Sequence, residues 1–103
     1  MTKEYLLRLN VPPSLEEDLV DLLLGSGDIS GYQSYPTRGH GQVGAMTIAE
    51  QVAGRRQRIQ FEIVLNADML EPTLDRLRKA FPVRDIIYWV LPVLESGRLS
   101  EPG

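Results

Sequence analysis

The stretch RIQFEIVL, residues 58–65, predicts the strand that decides the fold. Ile59, Phe61 and Ile63 alternate with polar or charged residues, which is the two-residue period of a strand with one buried face. We therefore expect Phe61 to lie in the core and Glu62 to lie on the opposite face of the sheet.

The residues that follow this strand predict a helix and a last strand. Leu70, Leu74 and Leu77 recur at helical spacing over residues 68–81, where they form one apolar face. Residues 85–91 are then apolar at odd and even positions alike, which predicts a strand with both faces covered. Since a bare apolar sheet face favours aggregation, we expect another subunit to cover it.

The residues that precede residue 58 predict two further strands and a helix. Residues 4–10 suit a first strand. Ser14 and Glu17 form the pattern of a capping box, which predicts a helix over residues 14–24. A second strand over residues 29–36 is expected to end at its proline, because proline cannot donate to a sheet ladder.

The predicted order is β-α-β-β-α-β, with a loop over residues 37–54 between the second and third strands. This order is typical of the α+β ferredoxin-like sandwich, a four-stranded antiparallel sheet with both helices on one face. We expect one domain over residues 1–103, with a short C-terminal tail over residues 92–103. The loop is long for so small a domain, and long loops usually carry function.

Composition excludes several classes of function. The chain has 103 residues, a formal net charge of −3 and no cysteine. The negative charge argues against nucleic-acid binding, and the absence of cysteine excludes disulfides and thiolate metal sites. No apolar run approaches the roughly 18 residues of a membrane span, and no signal peptide begins the chain, so we expect a cytoplasmic protein without membrane insertion.

The loop contains the candidate ligand-binding residues. Gly39, His40 and Gly41 form a glycine-rich turn, and glycines allow the backbone N–H groups to surround an anion. Arginines on both sides of the loop supply positive charge; they are Arg38, Arg55, Arg56 and Arg58. The competing interpretation is a flexible turn with solvated arginines, and the spacing alone leaves both open.

His40 is the single histidine of the chain. It is either an exposed loop residue or a ligand that a metal shares across a trimer, since one imidazole alone binds metals weakly. No Ser-His-Asp constellation is visible, because the one histidine has no evident orienting partner. We predict that the protein is not an enzyme and has no cofactor.

An RNA-recognition module has the same element order, but it displays aromatic residues on its third strand within a basic signature. Here Phe61 shares the apolar face with Ile59 and Ile63. We therefore predict no nucleic-acid partner.

Several motifs resemble the PII family and, over nearly the full length, a PII-like family of unknown function. They are Gly31-Tyr32, Gly39-His40-Gly41, the basic entry into residues 58–64, residues 50–56, residues 88–92 and Gly97-Arg98-Leu99. The chain differs from nitrogen-regulatory PII proteins in two respects. It lacks a tyrosine in the 37–54 loop, and the segment between the second helix and the last strand is short.

The resemblance implies a homotrimer, as in PII and CutA proteins, which senses a small effector at clefts between subunits. The effector would be an adenine nucleotide or another anion, and the 37–54 loop would correspond to the T-loop that contacts a partner. Carried over by position, Gly39 and Gly41 match the loop base, and Arg98 falls near the basic C-terminal segment. We expect Arg38 to bind the effector with them, and Arg55 and Arg56 to assist electrostatically. The resembling family is associated with heavy-metal efflux clusters, which implies an alternative: a metal-responsive accessory protein with a membrane transporter or efflux partner.

Overall fold

The computed structural model describes residues 3–27, 29, 31–39, 56–82 and 84–100. The elements run in the predicted order. They are β1 (Glu4–Val11), a 3₁₀ turn (Pro13–Leu15), α1 (Glu16–Leu24), β2 (Tyr32–Gly39), β3 (Arg56–Asn66), α2 (Ala67–Ala80) and β4 (Ile87–Val93).

The four strands form one antiparallel sheet in the order β2-β3-β1-β4. The central strand β1 pairs with β3 along its whole length, from Glu4 opposite Asn66 to Val11 opposite Ile59. β2 and β4 are therefore the edge strands. This arrangement confirms the predicted ferredoxin-like fold.

Alternate residues of the central strands build the core. Phe61, Ile63 and Leu7 are completely buried, as the two-residue period of β3 predicts. Both helices pack leucines against this same sheet face, so both lie on one side of it; these are Leu19 and Leu23 of α1 and Leu74 and Leu77 of α2. No described helix packs on the opposite face of the sheet, which is called the open face below.

The start of α1 differs from the prediction. The helix begins at Glu16, and Ser14 lies inside the preceding 3₁₀ turn. The residue before the helix is Leu15, whose side chain has no oxygen to accept a hydrogen bond. The predicted capping box is therefore wrong. The acidic residues of the first helical turn instead favour this end electrostatically.

Several strand boundaries also differ from the prediction: β2 begins at Tyr32 and β4 at Ile87, each two or three residues later than expected. Two of the differences, at the strand ends, involve proline. β2 passes through Pro36 and continues to Gly39, and β4 passes through Pro92 and ends at Val93. An edge strand accommodates proline because one row of its backbone groups has no partner in the sheet. The first three residues of the predicted 37–54 loop are therefore strand, and the tail begins at Leu94.

Candidate functional site

A cleft lies where β2 and β3 approach the 37–54 loop. It has a volume of about 620 Å³, within the range typical of ligand sites. Its lining combines apolar and polar groups from three elements: Pro13, Pro36, Thr37, Arg38, Gln57, Arg58 and Ile59.

Arg38 supplies exposed positive charge to this cleft. It is the penultimate residue of β2, where its backbone pairs with Gln57 of β3. Gly39 follows it as the last residue of the strand, opposite Arg56. A guanidinium on a rigid strand end can bind a carboxylate or phosphate through two parallel hydrogen bonds.

Arg58 has a different role from the one that the sequence predicts. Its side chain is only 3% exposed. Its Nε donates to Oδ1 of Asn10 at 2.6 Å, and its Nη2 donates to the carbonyl oxygens of Asn10 at 2.7 Å and Asp85 at 3.0 Å. Its Nη1 pairs with the Asp85 carboxylate at 3.0 Å. The arginine therefore joins β3 to β1 and to the segment before β4.

Asn10 extends this network across the sheet. Its amide nitrogen donates to Oε1 of Gln60 at 2.8 Å and to the hydroxyl of Thr37 at 3.3 Å. Thr37 lines the cleft, so the network fixes one cleft wall to the central strands. Among the described residues, no buried side-chain nitrogen or oxygen lacks a hydrogen-bond partner. A fully satisfied network of this kind stiffens the site.

A second cluster of hydrogen-bonded polar side chains lies further along the open sheet face. Arg8 Nε donates to Glu62 Oε2 at 2.8 Å, and the Tyr35 hydroxyl donates to the same oxygen at 3.1 Å. These contacts join β1, β3 and β2. They hold Glu62 in place and leave its negative charge compensated by Arg8.

The open face becomes apolar toward β4. Ile87 and Trp89 are each 38% exposed, and Val64 is 41% exposed. Leu6 pairs with Val64 on one side and with Leu91 on the other, so these residues lie side by side across three strands. The sequence predicts this patch, because both faces of β4 are apolar.

The predicted site residues divide into four groups. Arg38 lines the cleft, and Gly39 follows it as the last residue of β2. Arg56 is the first residue of β3, and its backbone pairs with Gly39. His40, Gly41 and Arg55 lie outside the described residues. Arg98 is exposed in the tail.

Within one chain, the structure does not bring Arg98 to the cleft. Gly39 pairs with the start of β3, whereas Val93 pairs with Glu4, which is opposite the end of β3. β3 has 11 residues, which is roughly 30 Å of strand. The tail therefore leaves the sheet at the end opposite Arg38.

A smaller cavity lies on the helical side, between α2 and β4. It has a volume of about 140 Å³, and its lining is mostly apolar: Leu9, Leu74, Leu77, Arg78, Phe81, Arg84, Ile86 and Tyr88. Hydrogen bonds to Asp75 and then to Tyr88 raise the pKa of Arg78, so it stays cationic. Sequence reasoning missed this cavity. The available signal was the apolar inner face of the helix facing the even positions of β4.

In the described part of the chain, no cluster of three or more His, Cys, Asp or Glu residues could hold a metal ion. Neither of the two described helices has the length and apolarity needed to cross a membrane.

The fold defines the class of protein. A nitrogen regulatory PII-like protein from Thiomonas intermedia K12, solved with ADP, AMP and bicarbonate, is similar with a TM-score of 0.71 and 18% identity, over 93% of this chain and 94% of that one. A PII protein from Arabidopsis thaliana, solved with citrate, is similar with a TM-score of 0.68 and 23% identity, over 89% of this chain and 78% of that one. At these identities the likeness shows the fold, which is PII-like.

The chain belongs to the family described as Protein of unknown function (DUF3240), whose model matches residues 1–100. A DUF3240 family protein from Shewanella baltica OS155 is similar with a TM-score of 0.81 and 26% identity, over 97% of this chain and 100% of that one. The sequence matches no curated protein.

Proposed function

We propose that this chain is a non-enzymatic, PII-like regulatory protein. It binds a small anionic effector, an adenine nucleotide or another anion, in clefts between the subunits of a homotrimer. It then acts on a partner through the 37–54 loop.

The observation that carries this proposal is the cleft with exposed Arg38 at its edge. The cleft joins the strand ends that flank the loop, so an anion bound there would contact both sides of the loop base. Arg58 forms part of the cleft wall, but its hydrogen bonds to Asn10 and Asp85 hold it in the sheet. Arg38 is therefore the main candidate for a direct contact with the effector.

Two features support an assembly of several copies. The open face carries exposed Ile87, Trp89 and Val64, which another copy would remove from water. Arg98 lies at the opposite end of the sheet from Arg38. The two arginines can therefore meet at one effector only if they come from different subunits.

The effectors to test are chosen from the ligands of the solved structures that share this fold. One was solved with ADP, AMP and bicarbonate and another with citrate, all of which are anions except at low pH. The test is isothermal titration calorimetry with ATP, ADP, AMP, cyclic AMP, bicarbonate and citrate. We expect at least one of them to bind. No heat with any of these ligands at millimolar concentration would refute the proposal.

Arg38→Ala locates the binding site. Losing a charge-assisted contact costs about 1.5–3 kcal/mol, so the Kd should rise by about 10-fold to 100-fold. Arg76→Ala is the matched control, because Arg76 is an exposed arginine on α2, which does not contribute to the cleft. Equal affinities for the two variants would show that the effector does not bind at this cleft.

A further inference from the structure

Leu94 is the most exposed large apolar residue next to the sheet. Its side chain is 98% exposed, although it directly follows β4. Two residues later, the Ser96 hydroxyl donates to Glu4 Oε1 at 2.6 Å, which attaches the tail to the start of β1. Leu94 is therefore held between two anchored points and projects into water. An isobutyl group held in this way gains free energy from any apolar site that it can reach.

The cavity between α2 and β4 matches this side chain in size and polarity. Its floor is formed by Leu9, Leu74 and Leu77, which are 1–6% exposed. Its volume of about 140 Å³ is close to that of a protein cavity, about 150 Å³, known to bind benzene. The four side-chain carbons of a leucine therefore fit.

The charges next to the two features are also complementary. Arg78 and Arg84 lie at the mouth of the cavity. Arg78 is already paired with Asp75 at 3.0 Å, whereas Arg84 is exposed. Glu95 follows Leu94 and is exposed too. A leucine in the cavity would bring the Glu95 carboxylate near Arg84.

The leucine that enters the cavity belongs to another copy of the chain. Tyr88 lines the cavity, and Leu94 lies six residues further along the same extended strand, roughly 20 Å away. The hydrogen bond from Ser96 to Glu4 holds the tail at this far end of the sheet. Leu94 therefore cannot fold back into the cavity of its own chain.

We propose that Leu94 of each subunit inserts into the α2–β4 cavity of the next subunit, with Glu95 facing Arg84. The contact joins different surfaces of identical chains, so it is head-to-tail, and in the proposed homotrimer three such contacts close into a ring. This inference rests on the proposed homotrimer and names the contact that builds it. It also directs the tail, with Arg98, toward the end of the neighbouring sheet where Arg38 lies.

Cysteine cross-linking tests this contact directly, because the natural chain has no cysteine. The variant Leu94→Cys/Tyr88→Cys carries one thiol in the tail and one at the edge of the cavity. Within a chain these thiols are too far apart for a disulfide, which needs Cα atoms less than about 7 Å apart. Mild oxidation should therefore link separate copies, and we expect a covalent trimer on a non-reducing gel.

The outcomes separate this contact from the trimer itself. A covalent dimer as the end product of complete oxidation, in a protein that light scattering shows to be dimeric, would support the insertion of Leu94 and contradict the trimer. The two single-cysteine variants give the background level of cross-linking. If the double variant is trimeric by light scattering but does not exceed this background, the insertion is overturned and the trimer is left intact. The pair Leu99→Cys/Tyr88→Cys is the control for accidental collisions, because Leu99 is also fully exposed in the tail. Equal cross-linking by the two pairs would likewise overturn the proposal.

A second measurement avoids the disulfide. Leu94→Ala should raise the dissociation constant of the assembly at least about tenfold, whereas Leu99→Ala should leave it unchanged. Dilution with light-scattering detection measures both variants, and circular dichroism verifies that both are folded. Equal effects of the two substitutions would overturn the specific role of Leu94.

Discussion

Replacing Arg58 by methionine tests the network that supports the cleft. Methionine keeps most of the side-chain volume and removes every donor, so the effect reports on the polar contacts. This side chain donates two hydrogen bonds to Asn10 and two to Asp85 among the contacts between described residues. The guanidinium is 3% exposed, so its contacts with Asn10 lie largely away from water.

The magnitude follows from what each partner loses. The Asp85 side chain is 43% exposed, so water can solvate its carboxylate once the arginine is gone, and the contribution of this ion pair is small. Asn10 is half-buried, and each of its two oxygens loses a short hydrogen bond to a charged donor; because water reaches a half-buried residue, the low end of the usual range, about 1.5 kcal/mol each, applies. We therefore expect Arg58→Met to lower the free energy of unfolding by about 3 kcal/mol.

Urea denaturation followed by the fluorescence of Trp89, the single tryptophan, measures this change. All samples need the same protein concentration, because assembly adds to apparent stability. Arg38→Met is the control. It removes a second arginine from the same cleft, but an exposed one, and should change stability by less than about 0.5 kcal/mol. A loss below about 0.5 kcal/mol for Arg58→Met, or equal losses for both variants, would refute the structural role of Arg58.

Three further predictions concern assembly, the core and metals. Trp89→Arg places a charge in the apolar half of the open face and should shift light scattering from a trimer toward the 11.6 kDa monomer; an unchanged trimer would show that this face is not the interface. Phe61→Ala empties a position that is completely buried and lies 6.0 Å from the Tyr32 ring, and it should cost about 3–5 kcal/mol in the same urea assay; a loss below about 1 kcal/mol would contradict its place in the core. Titration with copper or zinc should give the same metal affinity for wild type and His40→Ala if the effector is an anion. Clearly weaker metal binding by the variant would favour the metal-responsive alternative.

The sequence was sufficient for the elements whose pattern is local. The alternation of Ile59, Phe61 and Ile63 predicts both the strand and its buried face, and both are confirmed. The boundaries at Pro36 and Pro92 were wrong, because the effect of proline depends on whether its strand lies at the edge of the sheet. That position follows from pairing between distant segments, which a local pattern does not contain.

The site shows the same division. The sequence indicates arginines on both sides of the 37–54 loop, and Arg38 does lie at a cleft. The sequence-based prediction grouped Arg58 with these arginines as charge available to a ligand. In the structure, Arg58 is hydrogen-bonded to Asn10 and Asp85, which are 48 and 27 residues away along the chain. Alternation correctly assigned Arg58 to the polar face of β3. It carried no information about which distant residues would bury it there.

The prolines in both edge strands constrain how this protein can aggregate. A proline leaves a gap in the row of N–H donors along its strand, so a foreign strand cannot add a continuous ladder to either β2 or β4. Growth of the sheet from chain to chain, the route to fibres, is thereby interrupted at both borders. Contacts between copies through side chains on faces and tails are favoured in this way, and there shape and charge limit the number of copies that can join.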